Sequence, residues 1–339
     1  MRIAMISYYL PSGSKIGVGY QAHLLANSLT DAGHQVTMFS GCSPSDGALY
    51  ETRQVALHGT NRIFKFAWYL RQVDWTPFDV VHAHGDDYLL RNIAPVHIRT
   101  MHGSCLAEAI RIKGAKERLR MTVLGLSELV AVRVADHTVA VSHHTTRWVP
   151  GIDTVIPNAV DVAIGPSRLR SPHPTILFVG TYGRRKRGWL VAEAFQRYVR
   201  PKLPDAELWM VCEDAPPLAA GISILGRVSA DHLAELYSEA WVFCLPSSYE
   251  GFGIPYIEAM AGGCAVVSTP NPGAIEVTLD GRYGRICTPD RIGVEILELL
   301  LDGEARDSLA QRSLQHVQQY STAKVVSAYE QVYASTQAR

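Results

Sequence analysis

Nothing in this 339-residue chain approaches the run of about 18 apolar residues needed to cross a bilayer. Its first residues, Met1-Arg2-Ile3-Ala4-Met5-Ile6-Ser7, have the pattern of a short strand and not of a secretion leader. Membrane contact, if there is any, is then peripheral, and a cytoplasmic protein is expected. Net charge is also missing: 32 basic residues balance 32 acidic ones. That excludes a general nucleic-acid binder, which needs a basic surface. The six cysteines are scattered, without a C-x-x-C pair, and Cys212 and Cys244 sit in apolar runs. Buried reduced thiols fit that pattern, and a disulfide framework does not. There is no H-E-x-x-H, no Walker loop, no complete G-x-G-x-x-G fingerprint and no internal repeat. With 47% hydrophobic and 19% charged residues, disorder is excluded as well.

What is present is an alternation of short apolar, β-rich runs with amphipathic stretches. Strand patterns fall at 2–9, 35–41, 79–84, 97–102 and 137–142, then at 175–180, 207–212, 222–225, 241–245, 265–269 and 283–287. Helical periodicity appears near 18–32, 104–134, 188–200, 230–240, 255–262, 291–315 and 321–335. This is an α/β chain: two series of β-α units, hence two Rossmann-like domains with doubly wound parallel sheets. The first is expected over 1–161 and the second over 162–320. The proline-, serine- and arginine-rich segment at 162–174 serves as linker, and 321–339 carries a last helix. Ligands of such sheets sit beyond the carboxyl ends of the strands. With two such domains facing each other, the default site is the cleft between them.

The motifs fall just after expected strands. Trp241–Pro246 runs into Ser247-Ser248-Tyr249-Glu250-Gly251-Phe252-Gly253-Ile254-Pro255, and Glu258 follows eight residues after Glu250. Proline is pre-set for a helix start, so a helix is expected from Pro255. The free N–H groups there, near Phe252, Gly253 and Ile254, suit an anion, phosphate above all. Glu250 then lies in the loop beside the ligand, and Glu258 one turn into the helix, placed to accept hydrogen bonds from sugar hydroxyls. Gly180-Thr181-Tyr182-Gly183-Arg184-Arg185-Lys186-Arg187-Gly188 puts four consecutive cations between a strand and a helix. In a chain of zero net charge, that is a local anion site. Gly17-Val18-Gly19 opens the first helix and allows close backbone approach, though a plain tight turn has the same sequence. Val81-His82-Ala83-His84-Gly85-Asp86-Asp87 has a metal-like look. It lacks a second ligand cluster, so Asp86 and Asp87 are instead candidates for hydroxyl or amine partners on the acceptor side, with no metal.

These motifs together resemble the retaining glycosyltransferases of family 4, enzymes of the GT-B fold that carry a Glu-x7-Glu signature. The resemblance covers almost the whole chain. It extends to Ile156-Pro157-Asn158-Ala159-Val160-Asp161 before the linker, where Ala159 stands in place of the family's glycine. It implies that the last helix crosses back onto the first domain. It also implies transfer of a sugar from a nucleotide-diphosphate donor, UDP ahead of GDP, to an acceptor hydroxyl, with neither cofactor nor metal. Glu250 would contact the donor sugar and Glu258 the ribose. Gly17, Gly19, Gly180 and Arg184 would lie along the diphosphate, with Lys186 and Arg187 as its clamp. The turn Leu225-Gly226-Arg227-Val228 would line the base, and His102, in Thr100-Met101-His102-Gly103, would face the transferred sugar. The family's first cation position is Thr181 here and its last is Arg187, which leaves open which of Arg184, Lys186 and Arg187 does the clamping. The acceptor, whether lipid-linked, a glycan end or a natural-product aglycone, is unspecified. Two alternatives stand: a sugar-nucleotide epimerase of the same architecture, and a non-catalytic partner protein.

Overall fold

Short strands such as Val80–Ala83 and Val242–Leu245 are buried on both faces, which is what a parallel sheet covered by helices demands. The computed structural model describes residues 1–338 except 14–15, 60, 113, 163–164, 168–169 and 217–218. Part of the expected linker at 162–174, and Arg339 of the expected last helix, therefore lie outside the described residues. The first series runs β1 (Arg2–Ile6), α1 (Gly17–Asp31), β2 (Gln35–Ser40), β3 (Glu51–Gln54), α2 (Arg62–Leu70), β4 (Val80–Ala83), β5 (Val96–Met101), α3 (Cys105–Ala109), α4 (Ala115–Val134), β6 (His137–Ala140), α5 (His143–Thr146) and β7 (Thr154–Val155). The second runs β8 (Thr175–Val179), α6 (Gly188–Ala194), β9 (Glu207–Val211), β10 (Ile222–Ile224), α7 (Ala230–Glu239), β11 (Val242–Leu245), α8 (Ile254–Ala261), β12 (Ala265–Ser268), α9 (Pro272–Val277), β13 (Arg285–Ile286), α10 (Ile292–Leu301) and α11 (Gly303–His316). The chain ends with α12 (Thr322–Gln337).

The chain divides into two units: Met1–Ala159 with Thr322–Arg339, and Val160–Ser321. The first holds a seven-stranded sheet in the order β3-β2-β1-β4-β5-β6-β7, the second a six-stranded sheet in the order β10-β9-β8-β11-β12-β13. Strand pairs in both are parallel, as in β1 with β4 and β8 with β11. Strand order reverses between β1 and β4 in unit 1 and between β8 and β11 in unit 2. Those switch points are where doubly wound sheets open a crevice for ligands. In unit 1, alternation sends Ile3, Met5 and Val80 to the face covered by α1 and α12, where Leu25, Tyr329 and Tyr333 pack. Ala4, Ile6 and Val81 go to the opposite face, against Phe66, Trp75 and Phe78.

Several elements differ from the sequence pattern. The helix expected over 104–134 is two helices, with a break before α4 at Gly114. The one expected over 291–315 breaks at Asp302, whose carboxylate accepts the Ala305 N–H and caps α11. β3, α2, α5, β7 and α9 carried no signal that was recognised. β3 is a polar edge strand (Glu51-Thr52-Arg53-Gln54), and β7 is only two residues long.

Candidate functional site

In unit 2 the switch-point crevice is built by the loops after β8 and β11. Asp214 accepts hydrogen bonds from the Tyr182 and Gly183 amides and fixes the basic loop. The loop is then zipped to its neighbour: the Ser248 amide donates to the Arg185 carbonyl at 2.8 Å, and the Arg185 guanidinium to the Tyr249 carbonyl at 2.7 Å. Beneath it, Tyr256, Ser268 and Asn271 form one buried network. The Tyr256 hydroxyl donates to the Leu245 carbonyl, and the Asn271 amide reaches the Ser247 carbonyl. Gly253 turns the chain into α8 at φ +97°, and a Cβ there would lie 2.7 Å from the Tyr256 ring, so only glycine fits. The helix begins at Ile254, with Pro255 in its first turn, and no side chain caps it.

Glu250 is 6% exposed. Its Oε1 accepts from Ser247 Oγ at 2.6 Å and pairs with Lys186 Nζ at 2.7 Å and Arg185 Nη1 at 2.8 Å. Burial alone would raise its pKa, but Lys186 and Arg185 outweigh that and hold the carboxyl below its ordinary value. The Lys186 side chain is only 15% exposed, and this partial burial lowers its ammonium pKa against the pull of Glu250. Glu258 receives the Tyr237 hydroxyl on Oε2 at 3.1 Å, and burial raises its pKa, opposed by that bond and by Lys186. One ammonium thus acts on both glutamates of the signature.

The structure brings Lys186, Glu250 and Glu258 together, and it divides the four cations of the loop. Arg187, expected at the diphosphate, turns inward: its Nε donates to the Pro246 carbonyl and its Nη2 to Thr269 Oγ1, both at 2.7 Å. Arg184 is exposed, in a left-handed backbone conformation (φ +53°), and its side chain has no hydrogen-bond or ion-pair partner among the described residues. Phe252 is buried against Tyr320, ring centroids 6.0 Å apart, so only its backbone can face a ligand. Gly180 closes β8 at φ +153°. Val228 is half-buried just before Ser229, the cap of α7. Sequence reasoning did not single out Arg185, Ser247 and Tyr237. The first two lie inside the quoted motifs, but Tyr237 reaches Glu258 from a separate helix.

In unit 1 the switch-point crevice is a cavity of about 240 Å³. Tyr8 and Tyr9 after β1, His84, Asp86 and Tyr88 after β4, and His102 after β5 line it. His102 bonds through Nε2 to His84 Nδ1 at 2.8 Å. Its pKa is lowered to about 4, mainly by burial and secondarily by Arg99, while a hydrogen bond with Asn158 opposes the shift. It is therefore a neutral imidazole at neutral pH. The side chain of Asp86 has no hydrogen-bond partner among the described residues, and burial raises its pKa to about 7. Asp87 does not fit an acceptor-side role. It is 0% exposed and its carboxylate is taken up by His97 and Arg99, so it faces the protein interior. His82 is likewise structural: Nδ1 meets the Tyr333 hydroxyl of α12 at 2.7 Å and Nε2 meets Thr100 Oγ1 at 2.8 Å. Gly17 begins α1, and a Cβ there would meet open space. A Cβ on Gly19 would lie 2.6 Å from the Tyr9 carbonyl oxygen, so this glycine serves helix packing against the β1 loop. Among the described residues no group of three or more His, Cys, Asp or Glu is arranged to hold a metal ion.

Comparison with known proteins agrees with both halves. The model of Glycosyltransferase Family 4 matches residues 16–164, and that of Glycosyl transferases group 1 matches 173–302. The chain is 30% identical over 330 residues to a phosphatidyl-myo-inositol mannosyltransferase of Mycobacterium tuberculosis, covering 86% of this chain and 83% of that one. The Mycolicibacterium smegmatis protein of the same name is 28% identical over 98% of this chain and 94% of its own. The fold is that of sucrose-phosphate synthase from Thermosynechococcus elongatus (TM-score 0.78, 19% identity, 99% of each chain). It is also that of Anabaena HepE solved with UDP and glucose (TM-score 0.76, 16% identity, 99% of this chain and 100% of the other).

Proposed function

The chain belongs to glycosyltransferase family 4, the group 1 glycosyltransferases of GT-B fold, and from that premise we propose that it moves a hexosyl group from a nucleoside-diphosphate sugar, UDP ahead of GDP, to an acceptor hydroxyl with retention and without a metal. The observation that carries the reading is the Glu250–Lys186–Glu258 arrangement at the uncapped start of α8. A departing nucleoside diphosphate develops negative charge. The N-terminal dipole of α8 and the cations of the basic loop can stabilise that charge in place of a metal. Glu250, kept ionised, faces the positive charge that grows on the sugar. Glu258, half-buried and already accepting one hydroxyl, suits the ribose. The departing phosphate would take the acceptor's proton, as befits a front-side displacement.

Ligands that bind only the folded state raise its apparent stability. Thermal unfolding against UDP, GDP, ADP, TDP and CDP should give one selective stabilisation, unchanged by EDTA, and the product's anomeric proton should show retained configuration by NMR. Loss of the shift in EDTA would remove the metal-free reading, and an inverted product would remove the front-side one.

A lipid-linked acceptor is favoured by one further observation. Leu119, Val123, Leu126 and Val130 are all exposed and recur along one side of α4, with Lys116, Arg118 and Arg120 near its start. Among the described residues, no helix is long and apolar enough to cross a membrane. Sedimentation with anionic vesicles, abolished in Leu126→Glu, checks this contact; protein that stays in the supernatant would refute it.

A further inference from the structure

The loop that enters α8 is tied to the place where the chain leaves unit 2. Phe252 has glycine on both sides, so its buried ring supplies the packing that fixes this backbone. The ring meets Tyr320 edge to face, with centroids 6.0 Å apart and planes at 79°. Tyr320 is buried too, and His316 backs it edge to face at 5.8 Å. His316 stacks on Tyr283 at 4.0 Å with planes at 9°, and its Nε2 bonds to the Val277 carbonyl at 2.9 Å. This ladder of rings runs from the α8 loop to the end of α9 and the segment before β13, and it gives Tyr320 a rigid support.

The main chain of Tyr320 has a second engagement. The Val160 amide donates to the Tyr320 carbonyl at 3.0 Å, and Val160 forms a parallel bridge with Ser321. Val160 and Ser321 are the first and last residues of unit 2, so both passages of the chain between the units start from this bridge. One residue thus holds two things. Its ring holds the loop that carries Glu250 and leads into the uncapped start of α8, and its carbonyl holds the bridge from which the chain leaves.

We propose that Tyr320 is a positioning residue for the transfer reaction: through Phe252 it sets the backbone at the start of α8 against the donor diphosphate, and it carries the state of that loop to the Val160–Ser321 bridge. The inference rests on the glycosyl-transfer reading of unit 2. Tyr320 touches no reacting atom and acts only through its neighbours. A diphosphate bound to the first amides of α8 restrains Phe252, and Phe252 restrains the Tyr320 ring. Opening of the Val160–Tyr320 hydrogen bond then becomes rarer. A tyrosine that served only the core would stabilise the fold equally with and without donor.

The test is hydrogen exchange of the full chain with and without saturating UDP or GDP. It is read at the Val160 amide against the Glu207 amide, which bonds to the Pro174 carbonyl at the amino end of β9 and reports general stabilisation. The diphosphate that binds should slow Val160 about threefold to tenfold more than Glu207. In Tyr320→Leu that excess should vanish, and the diphosphate Kd should rise about threefold to tenfold. Tyr320→Phe, which keeps the ring, should restore both. Phe252→Leu should lose as much as Tyr320→Leu, and the double variant no more than either alone. An equal response of Val160 and Glu207 in the wild-type chain overturns the proposal, even where Tyr320→Leu does not fold. So does a Tyr320→Leu protein that is less stable but keeps the excess protection and the affinity. In both cases the glycosyl-transfer reading stands. If no nucleoside diphosphate stabilises the wild-type chain, that reading falls and this inference falls with it.

Discussion

The two units solve the same topological problem with opposite electrostatics. Both place a crevice at the reversal of strand order and fill it with loops from the two central strands. In unit 2 the crevice is organised by ions: Lys186 and Arg185 converge on one carboxylate, and burial works against the charges of Lys186 and Glu250. In unit 1 it is organised by neutral imidazoles, His82, His84, His97 and His102, linked to one another or to hydroxyls and to Asp87. A donor carrying phosphate calls for fixed charge. The neutral imidazoles of unit 1 can orient hydroxyls, beside the charged Arg99, Glu108 and Glu128 that also line that cavity.

The largest effect that follows is in acid. The pKa values of His82, His97 and His102 are lowered to about 3, 4 and 4, and that of His84 lies well below its ordinary value, burial being the main cause in each case. Between about pH 4 and 6.5 the unfolded chain therefore binds more protons than the folded one, and stability falls as pH falls through that window. His82, His97 and His102 each contribute on the order of 3–5 kcal/mol once fully titrated, a large part of a domain's whole stability. In unit 2, Glu250 loses its stabilising contribution only below the ordinary carboxyl range, and the raised Glu258 moves in the opposite sense. Hydrogen exchange followed along the chain should show unit 1 opening at a higher pH than unit 2. Simultaneous opening would erase the contrast.

Second in size is the loss of the charge at the centre of unit 2. Glu250→Gln leaves Lys186 buried beside a neutral amide and removes the anion facing the sugar. Turnover should fall by about 10²–10³, or roughly 3–4 kcal/mol, and the protein should be destabilised as well. Turnover within a factor of a few of the wild type would mean that Glu250 serves only to hold Lys186.

The unit 2 site was legible because it is local. Glu250, Gly253 and Glu258 lie within nine residues, and a strand–glycine–helix spacing fixes their geometry before any tertiary contact is known. The unit 1 site is not local. His84 meets His102 across 18 residues, His82 meets Tyr333 across 251, and Asn158 joins from beyond β7. Sequence spacing put His82 and His84 on one side of β4 but gave no means of telling that α12 would saturate the first and leave a nitrogen of the second unengaged. For the same reason Asp86 and Asp87 looked equivalent. Alternation about a strand end sends one into the cavity and the other into the interior, where Arg99 waits. The breaks at Gly114 and Asp302 fall inside stretches that read as single helices, and a lone glycine or a capping aspartate there was not recognised as a helix start.

The smallest effect separates two arginines that are interchangeable in the sequence. Arg187 is bonded to the Pro246 carbonyl and to Thr269, tying the basic loop to the segments after β11 and β12. Arg187→Ala should therefore act through stability, by about 1–3 kcal/mol, the cost of leaving those acceptors unmet. Arg184 is exposed and tied to nothing among the described residues, so Arg184→Ala should leave the melting temperature in place. It should instead weaken nucleoside-diphosphate binding by about 1 kcal/mol, since an exposed ion pair contributes little more than that. Calorimetry of each variant with and without the diphosphate distinguishes them. If both lose affinity and neither loses stability, Arg187 leaves Pro246 and Thr269 when the donor arrives, and the loop is a clamp that closes by exchanging internal acceptors for phosphate oxygens.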